Sequence, residues 1–464
     1  MALSQDKGAA SCCPEDEKLP LAKTFAYGLQ HILTMYGGII APPLIIGSAA
    51  GLDAAQIGLL VTAALFVSGL ATLLQTLGAP GFGSRLPLVQ GVSFAGVATM
   101  VTIVTGDGGL PAVFGAVIAA SLIGLLIAPF FSQIIRYFPP VVTGTVVTVI
   151  GLSLMPVAVR WAMGGNAKAA DWGSTGNIGL AAFTLAVILL LNKVGSPALK
   201  RLSVLLAMAV GCVAAAWVGK LSFAAVGHGP WLAFPAPFAY GWPTFELSAV
   251  LSMLLIVLVL LTETTAGLMA VGEIVGSPVN ARRIANGLRA DMLSSALSPV
   301  FNSFPQSSFA QNIGLVAITG VKSRFVVSAG GTILVLLGLL PVLGRLVACI
   351  PLPVLGGAGV VLFGSVAASG IRTLAKVEYK DNMNLVVVAT AIAFGMIPIV
   401  MPTFYDQFPN WVRTLLHSGI SASCLVALLL NLLFNRIGGQ KKKRRKKSFP
   451  EATGAVYLYR ARNA

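Results

Sequence analysis

Charge is scarce in this chain. Asp, Glu, Lys and Arg make up only 10% of its 464 residues, where a soluble protein carries about a quarter. A soluble globular fold is thereby excluded. Cysteine is scarce too, with five in all. Cys212, Cys349 and Cys424 stand singly in apolar stretches, where they read as small packing residues. Cys12 and Cys13 are adjacent in a polar stretch and lack metal-ligand spacing. No disulfide framework, metal site or cofactor is therefore expected. There is no Gly-x-Ser-x-Gly nucleophile and no Walker A loop, so neither hydrolysis nor ATP-driven pumping is expected of this chain. Residues 1–20 have no apolar run and carry Asp6, Glu15, Asp16 and Glu17, so they read as a short soluble leader rather than a signal peptide.

Apolar residues are plentiful, at 56% of the chain. They gather in uncharged runs at 57–79, 111–135, 140–159, 176–192, 202–219, 247–261, 327–344 and 384–404. A helix needs about 20 such residues to cross the hydrocarbon. The expected fold class is an all-α polytopic membrane protein with about twelve to fourteen spans. The net charge of +16 is largely a property of the end of the chain. From Arg436 onward there are ten basic residues and one acid, with an unbroken basic run at Lys441–Lys447. No segment could build a nucleic-acid-binding domain, so this run reads as a cytoplasmic tail resting on anionic lipid.

Parts of the sequence occur twice. PVVTGTVVTVIG at 140–151 matches PVLGGAGVVLFG at 353–364, an offset of 213, and SFA at 93–95 matches SFA at 308–310, an offset of 215. Two ordered matches with nearly equal offsets point to an internal duplication. Seven spans per half would make the halves inverted and put both ends of the chain on one side. The expected divisions are a leader at 1–20, repeats at 21–228 and 246–435, a linker rich in Gly, Pro and aromatics at 229–245, and the tail at 436–464. Both SFA segments are polar where a span is normally apolar, and Pro87 and Pro305 precede them. Such interruptions at matching places in two halves mark broken helices at a binding site. The half-helix N-termini would favour an anion or an acceptor-rich ligand, and Gln311 and Asn312 would offer it amide groups.

Few other polar residues lie at membrane depth. Gln30 and His31 interrupt the first apolar segment; the histidine either contacts a ligand or orients a neighbour. Glu263 ends an apolar run in LLTETTAG, and Glu273 better marks the end of that helix. A carboxylate at mid-span costs about 2.5–3.5 kcal/mol, so Glu263 reads as functional. Asp291 is either an ordinary partner of Arg289 or a member of a bundle with Glu263 and His31. His228 and His417 are expected at the surface. Thr319, Lys322 and Arg324 read as the return of the chain to water.

Four ordered motifs resemble the nucleobase–ascorbate transporter (nucleobase:cation symporter-2) family. They are Gln30-His31; Glu263 followed by Thr-Thr-Ala-Gly; Asp291 after Gly-Leu-Arg-Ala; and Gln311-Asn312-x-Gly-x-x-x-x-Thr319-Gly. The form QNIG looks closer to bacterial uric acid permeases than the QNNG form common among xanthine permeases, and Ile313 is the departure. The resemblance implies fourteen spans in two inverted repeats, a core domain moving against a gate domain, and a homodimer through the gate in the bacterial inner membrane. It implies proton-coupled import of a purine. Substrate binding falls on Glu263, Gln311, Phe94, the Ala310 backbone and Asn312. Asp291, His31, Gln30 and Thr319 take supporting or proton-linked roles. A carboxylate accepts from two N–H groups of an oxidised purine, a carboxamide pairs with one C=O and one N–H, and a phenyl face stacks on the ring. Rival readings are a xanthine symporter, an inorganic anion carrier of the same fold, and a channel or purine-sensing receptor. An anion carrier would gain nothing from a carboxylate facing its ligand.

Overall fold

The structure, a computed structural model, describes residues 13–106, 108–131, 138–221, 231–380, 383–409, 412–413 and 416–437. The basic run Lys441–Lys447, Cys12, residues 229–230 of the linker and His228 lie outside them.

Helices dominate, as the apolar runs predict. Among the described residues, eight helices are long and apolar enough to cross a membrane, or nine if one bent pair counts as a span. These eight fall short of the twelve to fourteen expected, because several segments are short or broken. In chain order the elements are α1 (Leu21–Ala49), α2 (Ala54–Leu77), β1 (Gln90–Val92), α3 (Val97–Val104), α4 (Gly109–Ile127), α5 (Pro140–Ala162), α6 (Thr175–Val194) and α7 (Ser203–Trp217). The second half contains α8 (Leu247–Val275), α9 (Ala281–Leu297), β2 (Gln306–Ser308), α10 (Ala310–Thr319), α11 (Arg324–Gly338), α12 (Pro341–Ala348), α13 (Leu352–Leu374), α14 (Met383–Val400) and α15 (Gly419–Asn431). The run 327–344 is not one straight span. It bends by 80° between α11 and α12, where Pro341 cannot continue the helix before it.

The helices pack in two groups. One contains α1–α4 and α8–α12; the other contains α5–α7 and α13–α15. The duplicated PV segments open α5 and begin at the second residue of α13, and these two helices pack against each other. Gly151 of α5 has no room for a side chain, since a Cβ there would lie 2.3 Å from the Ala367 nitrogen.

The two SFA segments form the centre of the first group. β1 and β2 pair antiparallel, with Gln90 opposite Ser308 and Val92 opposite Gln306. The ladder continues beyond the strands, where the Ser93 N–H donates to Pro305 O at 2.9 Å and the Phe309 N–H to Val89 O at 3.0 Å. A two-stranded sheet has two open edges, and buried backbone must find partners. One hydroxyl serves each edge. Thr72 of α2 accepts from the Gln90 N–H and donates to Gln90 O. Ser295 of α9 does the same for the N–H and O of Gln306. This matched provision explains how extended chain survives at this depth.

The leader and the linker both attach to this group. Glu15 accepts from Ser277 Oγ at 2.6 Å and from Arg283 Nη2 at 2.7 Å. Arg324 is more than the basic boundary expected from sequence: its Nε lies 2.5 Å from Asp16 Oδ1, and its Nη1 donates to Thr76 O. Residues 231–245 of the linker cross the opposite end, where Phe234 packs edge-on against Phe66 and Phe301. Tyr240 there donates to Gln56 O at 2.6 Å.

Candidate substrate site

A cavity of about 390 Å³ lies between the two helix groups at the strand pair. Three elements bring the expected ligand contacts to it. Glu263 projects from the seventeenth position of α8, well inside the helix, while Glu273 stands exposed near its end as expected. Gln311 comes from the first turn of α10 and is exposed to the cavity. Phe94 follows β1, half-buried, its ring edge-on to Phe363 at 5.9 Å. The cavity wall is mostly apolar, with Val92, Val147, Ile150, Val259 and Phe309 around these groups.

Most of the remaining lining polar groups are hydroxyls that motif spacing did not single out. Ser93, Ser307 and Ser308 come from the strand pair, and Ser365, Ser369 and Thr373 come from α13 across the cavity. The last three recur every four residues, which puts them on one face of a helix. That periodicity was available in the sequence. What was missing was the knowledge that this face of α13 meets the strands. From the strands, the lining residues lead to the end of α8, the start of α5 and the end of α13. The cavity thus extends toward the side on which the leader docks.

Other expected residues stand behind the wall rather than on it. Asn312 is only 1% exposed and is not a lining residue. Its amide nitrogen donates to His31 Nδ1 at 3.1 Å and to His31 O at 2.9 Å. The reason is geometric: successive residues of a helix point about 100° apart, so with Gln311 facing the cavity Asn312 faces α1. His31 is buried and likewise off the wall. Asp291 is buried in α9, where its Oδ2 accepts a hydrogen bond from Thr264 of α8. Arg289 bonds instead to Gly81 O and Asn286 Oδ1, and Asp291 meets Thr264 rather than Arg289. Gln30 is half-buried and Thr319 returns its hydroxyl to Leu315 O at the end of α10; neither lines the cavity. Ala310 opens α10, and its side chain lies outside the described residues. His417 sits partly exposed, 3.9 Å from Asp406.

Among the described residues no group of His, Cys, Asp or Glu could hold a metal ion. The site offers one carboxyl, one carboxamide, hydroxyls and an aromatic face in a mostly apolar cleft. That is a set for binding a planar, polar-edged molecule.

Fold and site together define a polytopic membrane transporter with a cavity between its two helix groups. Residues 22–404 match the model of the permease family Xan_ur_permease, and the chain belongs to this nucleobase:cation symporter-2 family; it is a permease and not an enzyme. It is 40% identical to the uric acid permease PucJ of Bacillus subtilis, over 89% of this chain and 93% of that one. It is 36% identical to the xanthine permease of the same organism, over 94% and 99%. Among solved structures, the murine anion transporter Slc26a9 in its inward-facing state has the same fold. The TM-score is 0.62 at 13% identity, over 91% of this chain and 70% of that one.

Proposed function

We propose that this protein is a proton-coupled symporter that imports an oxidised purine, urate in the first place, by alternating access. The observation that carries the reading is the meeting of Glu263, Gln311 and Phe94 in one cavity. Glu263 would accept from the N–H edge of the purine, Gln311 would pair with a C=O and an adjacent N–H, and Phe94 would cover the ring face. Urate is an acceptor-rich monoanion, and the N-terminus of α10 beside Gln311 suits it. The uric acid permease PucJ supports urate. The xanthine permease keeps xanthine as the second reading. An inorganic anion carrier fits the fold but not a carboxylate in the cavity.

The same reading takes α1–α4 with α8–α12 as the core and α5–α7 with α13–α15 as the gate. It takes the whole as fourteen segments in two inverted repeats, with both ends of the chain in the cytoplasm and a homodimer formed through the gate. In its support, β1 and β2 are matched extended segments, each served at its edge by one helix hydroxyl.

The test is uptake of labelled urate and xanthine, side by side, in cells without purine permeases of their own, with and without a protonophore. Urate uptake that collapses with the proton gradient is expected. Xanthine uptake alone would transfer the assignment to the second reading. Glu263→Gln should reach the membrane and lose most transport; full activity would remove Glu263 from the site.

A further inference from the structure

Asp291 is 1% exposed, and its immediate electrostatic surroundings are sparse. Its helix α9 packs on α2, α4, α8, β2 and the single helical turns at Ala128–Phe130 and Ser298–Phe301. Of these, α2, α4, β2 and both turns contain no titratable side chain. Helix α8 contributes Glu263 and Glu273, and α9 itself carries Arg282, Arg283 and Arg289. Arg283 is committed to Glu15, Ser84 O and Arg85 O, and Arg289 to Asn286 and Gly81 O. Asp291 Oδ1 has no hydrogen-bond partner among the described residues. Among the described residues, the hydroxyl of Thr264 on Oδ2 is therefore the one group that hydrogen-bonds to this buried acid.

Thr264 is the chain neighbour of Glu263. Adjacent helical residues point about 100° apart, so α8 turns Glu263 to the cavity and Thr264 to α9. A hydroxyl is also the partner that suits both forms of a carboxyl. It donates to a carboxylate and, by rotating about Cβ–Oγ, accepts from a protonated acid. A backbone N–H or an arginine can only donate, so neither could accept the hydrogen bond that the O–H of the neutral acid offers.

We propose that Thr264 is a positioning residue for proton coupling: its hydroxyl ties Asp291, in either protonation state, to the helix residue beside the cavity carboxylate Glu263. The proposal rests on the proton-symport reading above and adds to it the group through which the buried acid is linked to the purine site.

The test compares Thr264→Val, which keeps the shape and loses the hydroxyl, with Thr264→Ser, which keeps the hydroxyl. Thr264→Ala serves if the valine variant fails to reach the membrane. Membrane levels are matched and urate uptake is measured across mildly acidic to mildly alkaline pH. The valine variant should lose about tenfold in maximal uptake, with KM within about twofold of the parent and a displaced pH profile. Serine should restore both. A parental pH profile in the valine variant, or serine as damaging as valine, would overturn the assignment. A second measurement needs no substrate. The Tm of purified protein is followed against pH for the parent, Thr264→Val, Asp291→Asn and the double variant. The effect of valine on the pH dependence should vanish once Asp291 is gone. An effect that persists undiminished in the Asp291→Asn background would sink the proposal even if uptake had identified a different substrate.

Discussion

Asn312 gives both of its amide hydrogens to one residue, His31: one to ring Nδ1 at 3.1 Å and one to the main-chain oxygen at 2.9 Å. The carbonyl can only accept, so the group facing it must be the amide nitrogen, and Nδ1 must then be an acceptor as well. The ring proton therefore sits on Nε2. The QN pair of the motif thus divides its work. Gln311 faces the cavity between the helix groups, and Asn312 joins α10 to α1.

Asn312→Ala should leave two buried acceptors unpaired, each worth about 1–3 kcal/mol. Asn312→Asp should be worse, because it presents an acceptor to two acceptors. Tm of the purified variants reads the cost, and urate KM should move less than maximal uptake does. An affinity loss in Asn312→Ala as large as that in Gln311→Ala would return Asn312 to the ligand.

Phe309 lies in a slot that two glycines leave open. A Cβ on Gly91 would stand 2.5 Å from the ring, and one on Gly38 would stand 2.7 Å from it. Phe309 is the N-cap residue of α10, two positions before Gln311. Gly91→Ala and Gly38→Ala should therefore each cost about 1–3 kcal/mol from overpacking and weaken purine affinity. Gly314→Ala is the control, since nothing stands within 4 Å of its Cβ position. Its Tm should match or exceed the parent's. Equal losses at all three glycines would mean that the slot has no special part.

The leader supplies a prediction about acid stability. Burial opposes the charge on Glu15, but the hydrogen bonds from Ser277 and Arg283 and the Arg283 charge outweigh it, so the carboxyl is held below its ordinary value of 4.5. A lowered folded-state pKa contributes stability above the unfolded value and loses it as pH falls through the folded one. Glu15→Gln should thus cost stability at neutral pH, about 1.5–3 kcal/mol for a hydrogen-bonded charge. The difference from the parent should shrink below about pH 4.5. Parallel Tm curves for the two proteins down to strongly acidic pH would show that the latch contributes nothing.

Some of this architecture was legible in the residues, and the boundary has physical causes. Long apolar runs announced α2, α4, α5, α6, α8 and α14, because burial in lipid demands an uninterrupted stretch. Pro87 and Pro305, with polar residues after them, announced the broken segments. Their pairing with each other, and the hydroxyls of Thr72 and Ser295 that close their edges, depend on tertiary contacts that no local pattern records. Glu263, Gln311 and Phe94 line one cavity, and each belongs to an interrupted or polar stretch in an apolar setting, which is why the residues alone drew attention to them. The α13 hydroxyls are not legible in the sequence as cavity groups because serine and threonine inside a span usually bond to their own helix, as Ser365 does to Val361 O. The bend at Pro341 is hidden in the apolar run 327–344 because hydropathy averages over a proline.

On the side of the cavity away from the leader, hydroxyls close the gap between the two helix groups. Thr99 of α3 meets Ser418, the N-cap of α15, with oxygens 2.7 Å apart, and Ser421 stands 3.4 Å from Thr99. All three hydroxyls are buried, and they bridge the two helix groups beyond the strands. If the groups slide past one another during transport, this cluster must part whenever the cavity opens on that side. Thr99→Val should remove about 0.5–1.5 kcal/mol from the closed seal, a population shift of about two- to tenfold. The reporter is Ser369→Cys on the cavity face of α13, labelled with an impermeant thiol reagent from the leader's side. Labelling should slow when Thr99→Val is added, because the arrangement seen here becomes less populated. Adding Ser418→Ala as well should slow it little further, since both changes break the same contact. Unaltered labelling in the Thr99→Val background would mean that the hydroxyls merely pack and that another contact holds the seal.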